Sequence, residues 1–221
     1  ERHSALPLVG LIRSGNANED FLGLAKTLQL KNHLNANSIL TISSTIDGEG
    51  KSYVAEHLAN CLASLNKKVA LLNLDSQQAN SVELERFLTD PKAAEGTLTF
   101  LHQNSTHSLG FKNQLEELKQ QFEHVIIDAR ASGIGVEGIE AMKYADVNLY
   151  IIRSNKTSID YLSHADRLAE EYQIENVLLL LNDAHKASNH SGNFVGTRFQ
   201  QKTIPSSLMD KVKNYLNTYL R

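Results

Sequence analysis

Apolar positions along the chain follow two rhythms, and they alternate. Short, nearly continuous apolar runs occur at 38–43 (SILTIS), 68–75 (KVALLNLD), 124–129 (HVIIDA), 146–153 (DVNLYIIR) and 176–183 (NVLLLLND). Each has strand length and is rich in Val, Ile and Leu. Between them lie stretches with apolar residues three or four apart, the spacing of one helix face. Residues 18–34 place Phe21, Leu24, Ala25, Leu28 and Leu34 on such a face, with Asn18 as the expected cap. Residues 51–66 do the same with Val54, Leu58, Cys61, Leu62 and Leu65. Further helices are expected at 81–89, 114–122, 136–143 and 158–172. Strands alternating with helices predict parallel βαβ units. Runs that are apolar throughout, rather than at every second residue, fit a sheet covered on both faces. The expectation is therefore an α/β domain of three layers, a mostly parallel sheet with helices on both sides.

The pattern divides the chain into a lead-in at 1–17, the main domain at 18–183, a polar loop at 184–204 and an amphipathic helix at 205–221. That last helix follows Pro205 and carries Leu208, Val212, Tyr215, Leu216 and Tyr219. The longest apolar run, VLLLL at 177–181, is far below the roughly 20 residues of a membrane helix. Only Cys61 is present, so no intrachain disulfide forms, and its place on an apolar stripe marks it as a core residue. A net charge of −3 argues against nucleic acid as a partner, since nucleic acid usually attracts a basic face. The chain opens Glu-Arg-His and its methionines are Met142 and Met209, which suggests a domain cut from a larger protein.

The candidate chemistry sits after the first of these strands. Residues 43–52 read SSTIDGEGKS, and their end matches a phosphate-binding loop, G-x-x-x-x-G-K-[S/T]. Thr45 stands where the first glycine is usual. Backbone N–H groups of such a loop, with the following helix N-terminus, converge on an anion. The candidate loop runs Thr45, Ile46, Asp47, Gly48, Glu49, Gly50, Lys51, Ser52 and Tyr53. Lys51 is placed to neutralise β- and γ-phosphates, and Ser52 to hold Mg²⁺. Two strands end in acids, Asp75 and Asp128, at the end of the sheet where ligands of open parallel sheets bind. Both are candidate Mg²⁺ and catalytic groups, although a strand-ending aspartate also serves simply to cap a turn.

Other signals are weaker. His185 and His190 flank the polar loop without a third ligand at metal-binding spacing. Glu137 and Glu140 fit a solvated helix face, and no nucleophile-elbow pattern surrounds Ser43, Ser44 or Ser52.

At this level of detail the sequence resembles the bacterial tyrosine kinases (BY-kinases) of capsule and exopolysaccharide export. Their loop reads S-x-P-G-E-G-K-S, and GEGKS at 48–52 matches it, with Asp47 in place of proline. A small residue such as Thr45 is tolerated in the family. Their second motif, a strand ending D-x-D-x-R, falls on Asn73, Asp75 and Gln77. The third, D-[S/T]-P-P, falls on VIIDARA, which keeps Asp128 and lacks the diproline. PLVG at 7–10, YIIR at 150–153 and LLND at 180–183 also match, so the likeness covers most of 7–183.

The resemblance implies a P-loop NTPase fold that binds ATP or ADP with Mg²⁺. Asp75, Asp128 and Lys51 would be the catalytic groups, Ser52, Asp75 and Asp128 the metal ligands, and Asn182 a contact to the base. It implies a place at the cytoplasmic side of the bacterial inner membrane, with a membrane-embedded polysaccharide co-polymerase region as partner, on the same or a separate chain. The family phosphorylates C-terminal tyrosines, for which Tyr215 and Tyr219 are the candidates. Its ring helix, E-x-x-R-x-x-R, read from Glu19 meets Leu22 and Ala25, so self-association stays open. Asn73 at the acid position points to weakened or absent kinase activity. The alternatives are an active autokinase, a partition- or division-type ATPase, and an adaptor that binds no nucleotide. The ATPases of that type carry an additional early loop lysine, absent from 43–47.

Overall fold

The computed structural model describes residues 6–14, 17–74, 81–89, 96–103, 110–133, 135–154 and 156–184. Asp75, Gln77, His185, His190, Tyr215 and Tyr219, the expected polar loop beyond Ala184 and the expected C-terminal helix lie outside the described residues.

The elements run β1 (Leu8–Arg13), α1 (Ala17–Leu30), β2 (Ser38–Ser44), α2 (Lys51–Ser64), β3 (Val69–Asn73), β4 (Val82–Glu83) and α3 (Leu84–Thr89), followed by β5 (Leu98–His102), α4 (Phe111–Gln121), β6 (His124–Asp128), α5 (Val136–Tyr144), β7 (Val147–Arg153), α6 (Ile159–Glu171) and β8 (Val177–Ala184). They form one eight-stranded sheet in the order β1-β8-β7-β2-β6-β3-β5-β4. Every ladder is parallel.

Three layers arise because successive strand residues point to opposite faces. Leu40, Ile42, Leu71, Ile126, Leu149 and Leu180 meet the apolar stripes of α1 and α2. Their neighbours Ile39, Ala70, Leu72, Val125 and Ile127 point the other way, against residues of α3, α4 and α5. Tyr150, Ile152, Leu179 and Leu181 pack with Leu162, Ala165 and Leu168 of α6 on that second face. Continuous burial along β2, β3 and β6 explains why their sequences show no alternation.

The structure departs from the sequence pattern in several places. Leu8–Arg13, read as a lead-in, is edge strand β1 on β8. β5 was not expected; its LTFLH sequence mixes polar and apolar residues, and it lies near the sheet edge beside the two-residue β4. The helix expected at 81–89 begins only at Leu84, after β4. Ala184, assigned to the polar loop, is the last residue of β8. Asn18 does not cap α1 but lies within it. Asp20, in the same first turn, ties β1 to α1 by accepting from the Arg13 backbone N–H at 2.8 Å and from its guanidinium Nε at 3.0 Å. Cys61 packs half-buried against the α1–α2 core, and burial raises its thiol pKa, which disfavours the reactive thiolate.

Candidate functional site

Strand β2 lies between β7 and β6, so the chain leaves it toward one half of the sheet and later returns to build the other. Ligands of open α/β sheets bind beyond the strand C-termini at such a reversal. The loop of residues 45–50 occupies that position, joining β2 to α2.

Its backbone is shaped by two glycines in the left-handed region, Gly48 at φ 77° and Gly50 at φ 96°. Only glycine adopts this conformation without strain. Gly50 ends the loop and starts α2, so the free N–H groups of the first helical turn open at the same point. Ser52 is exposed in that turn, and Tyr53 beside it is 42% exposed.

Lys51 is buried at 7% exposure, and its ammonium meets the Asp47 carboxylate at 3.2 Å. Asp47 is 67% exposed at the loop tip, free on its solvent side to swing away. Glu49 is wholly buried and works inside the loop. One carboxylate oxygen accepts from the Ile46 N–H at 3.2 Å, and the other accepts from the Thr157 hydroxyl. Thr45, in the place of the usual first glycine, faces away from solvent. Its hydroxyl lies 2.8 Å from that of Tyr150, which lies 2.8 Å from the hydroxyl of Ser132. Ser132 donates through both its N–H and its Oγ to the carbonyl of Ser44. Burial pushes the Tyr150 phenol above the ordinary tyrosine range, so it serves as a neutral hydroxyl in this chain. Thr45 therefore anchors the start of the loop rather than leaving space there.

Strand register brings the acid positions to the same end of the sheet. Asp128 is opposite Ile42 on one side and Asn73 on the other. The Asn73 amide donates to an Asp128 oxygen at 3.2 Å, with both residues buried. Arg130 reaches the carbonyl of Leu74 at 3.3 Å. Among the described residues no group of three or more His, Cys, Asp or Glu is arranged as a metal site. Glu137 and Glu140 are partly exposed on α5.

Two residues at the ends of β7 and β8 meet the loop backbone. Asn182, expected at a nucleotide base, donates its amide to the carbonyl of Glu49 at 2.9 Å. Arg153, by the same resemblance a poorer candidate for that base contact, donates to the carbonyl of Gly48 at 2.9 Å. Lys156, Thr157, Ser132 and Tyr150 also touch the loop and were not anticipated. The available signal was the polar run Arg-Ser-Asn-Lys-Thr-Ser at 153–158, directly after a buried strand.

A buried strand, a loop with two left-handed glycines, a buried lysine and a helix N-terminus, set at the reversal of a parallel sheet, define a P-loop α/β domain. The CobQ/CobB/MinD/ParA nucleotide binding domain family matches residues 40–216, and the chain belongs to this family. Within it the likeness is to the bacterial tyrosine kinases. A tyrosine-protein kinase, ptk, of Acinetobacter johnsonii is 26% identical over 177 residues, covering 69% of this chain and 24% of the relative. The chain thus spans about a quarter of that protein's length. Among solved structures, the kinase domain of the Escherichia coli tyrosine kinase ETK superposes with a TM-score of 0.70. It shares 15% identity and covers 86% of this chain and 94% of its own. The BceF tyrosine kinase domain gives 0.68 at 18% identity, over 83% and 96%. No helix among the described residues is long and apolar enough to cross a membrane.

Proposed function

We propose that this domain binds ATP or ADP with Mg²⁺ through residues 45–53, and that its tyrosine kinase activity is weakened or absent. The observation that carries the binding half is Lys51. Its head is turned into the loop and already holds an anionic oxygen, that of Asp47, at 3.2 Å. A carboxylate there takes the place a phosphate oxygen would take, which supports an anion-binding role for Lys51. The Ser52 hydroxyl and the Asp128 carboxylate are hard oxygen donors of the kind Mg²⁺ takes, and Asp75 would join them. The ion would neutralise charge on the β- and γ-phosphates. The remaining groups bind and orient: loop amides and the α2 N-terminus hold the phosphates, and Lys51 balances their charge.

The catalytic half of the proposal rests on Asn73. An amide at the position of an acid keeps the shape but cannot accept the proton of an incoming hydroxyl. Loss of such a base costs about 10²–10⁴-fold in rate. If activity survives, Tyr215 and Tyr219 are the acceptors within this chain. By its likeness to the kinases, the domain works at the cytoplasmic face of the bacterial inner membrane, beside a polysaccharide co-polymerase region in exopolysaccharide production. The early lysine of partition-type ATPases is missing from 43–47, which favours the kinase-like reading.

Isothermal titration with ATP and ADP in the presence of Mg²⁺ tests this directly. Saturable binding that Lys51→Met abolishes is expected. Affinity unchanged by Lys51→Met would remove the site assignment. No binding by the unaltered chain would leave the adaptor reading.

A further inference from the structure

The loop is gripped from outside by three side chains acting on three successive peptide units. Lys156 donates its ammonium to the carbonyl of Asp47 at 2.9 Å. Arg153 donates Nη1 to the carbonyl of Gly48 at 2.9 Å. Asn182 donates its amide to the carbonyl of Glu49, also at 2.9 Å. All three donors come from the same flank, the end of β7, the turn before α6 and the end of β8. In a planar trans peptide the N–H points opposite to the C=O. Capping the carbonyls of residues 47, 48 and 49 from that flank therefore turns the N–H groups of Gly48, Glu49 and Gly50 to the other side.

The glycines are fitted to these donors as well as to the turn. A Cβ on Gly48 would lie 2.3 Å from the Lys156 nitrogen, and one on Gly50 would lie 2.1 Å from the Asn182 amide nitrogen. The grip has its own support. Arg153 is held by the Asp183 carboxylate through Nε at 3.1 Å and Nη2 at 3.0 Å. Asp183 in turn accepts from the Ser14 hydroxyl at 2.7 Å. Thr157, whose hydroxyl donates to Glu49, accepts from the Arg153 N–H at 2.7 Å.

We propose that Lys156, Arg153 and Asn182 are positioning residues for phosphate binding, holding and polarising the loop peptides from their carbonyl side. A cation on a carbonyl strengthens the positive end of the same peptide dipole, because hydrogen bonds in a chain polarise one another. Successive N–H groups turned to one side form an anion-binding nest. The three side chains touch no phosphate; their effect reaches it through the peptide. This inference rests on the nucleotide-binding reading above and assigns Asn182 to the loop instead of to the base.

The test uses two probes, Mg²⁺·ATP and inorganic tripolyphosphate, which has the phosphates but no base. Lys156 is exposed, so Lys156→Gln leaves the fold intact and is the principal variant. It should weaken both probes by roughly five- to ten-fold, the scale of one charge-assisted hydrogen bond, with an unchanged ligand-free melting midpoint. Lys156→Arg should restore most of the affinity. Asn182→Ala should weaken tripolyphosphate as much as ATP. Loss of ATP but not of tripolyphosphate would place Asn182 at the base and overturn its part. Wild-type affinity for both probes in Lys156→Gln and in Arg153→Gln, while Lys51→Met abolishes binding, would overturn the inference alone. Failure of the unaltered chain to bind either probe would overturn the nucleotide reading and this inference with it.

Discussion

Asn73→Asp places an acid where the likeness to the kinase motif would have one, and the structure sets its energetic consequence. Asn73 and Asp128 are 4% and 2% exposed, and their polar atoms lie 3.2 Å apart. The substitution exchanges an attractive contact for two carboxylates at that separation. At an effective dielectric of about 20, two full charges there repel by about 5 kcal/mol. The pair escapes more cheaply by taking up one proton, at about 4 kcal/mol at pH 7 for a group that ordinarily titrates near 4. The hydrogen bond made by that proton returns about 1–2 kcal/mol. A net loss of roughly 2–3 kcal/mol lowers the melting midpoint by about 4–12 °C in a domain of this size. The two carboxylates of the variant would hold Mg²⁺ in place of the proton, so millimolar Mg²⁺ should recover most of the loss in the variant and do little to the unaltered chain. Thermal melts by circular dichroism, with and without Mg²⁺, read this out. An unchanged midpoint, or a drop that Mg²⁺ leaves in place, would refute the reasoning. The same variant, given ATP, should transfer phosphate to tyrosine about 10²-fold faster or more if the acid is the principal missing part. No gain would show that the Gln77 position and the missing diproline matter as well.

Two further outcomes follow from single contacts. Asp47→Ala frees Lys51 from a partly exposed ion pair and removes a negative charge from the loop tip, so ADP affinity should rise by about two- to five-fold; equal or weaker binding by titration would contradict the competition. Burial lowers the pKa of the His124 imidazole below the usual histidine value, as it does for His33 and His164. A depressed folded-state pKa means that the unfolded chain takes up the proton first, so stability is complete above about pH 6.5 and declines as pH falls below it. Melting midpoints should therefore drop on acidification. His124→Gln keeps a partner for the Ser38 hydroxyl, now 3.3 Å from the ring nitrogen, and should flatten the slope; an unaltered slope would exclude His124 as a contributor.

Much of the fold was legible because burial leaves a linear trace. Strands β2, β3, β6, β7 and β8 are covered on both faces, so each appears as an apolar run, and α2 shows its stripe for the same reason. The edge elements left weaker traces. β1 and β5 lie toward the margins of the sheet, where mixed residues suffice, and β4 is only two residues long. The loop was legible because Gly48, Gly50, Lys51 and Ser52 are adjacent in sequence and their spacing itself carries the chemistry.

The outer support of that loop was not legible, and the reason is distance along the chain. Arg153, Lys156 and Asn182 lie more than a hundred residues beyond the carbonyls they hold. Nothing local marks a lysine in a polar turn as a loop clamp rather than a solvated cation. By itself the sequence determined the alternation of strands and helices and the presence of a phosphate-type loop, since each is a matter of local residue type and spacing. The order of strands, the Asn73–Asp128 pairing and the grip of β7 and β8 on the loop were decided only by tertiary structure. They depend on which strands lie side by side, and that is settled by packing the whole sheet at once.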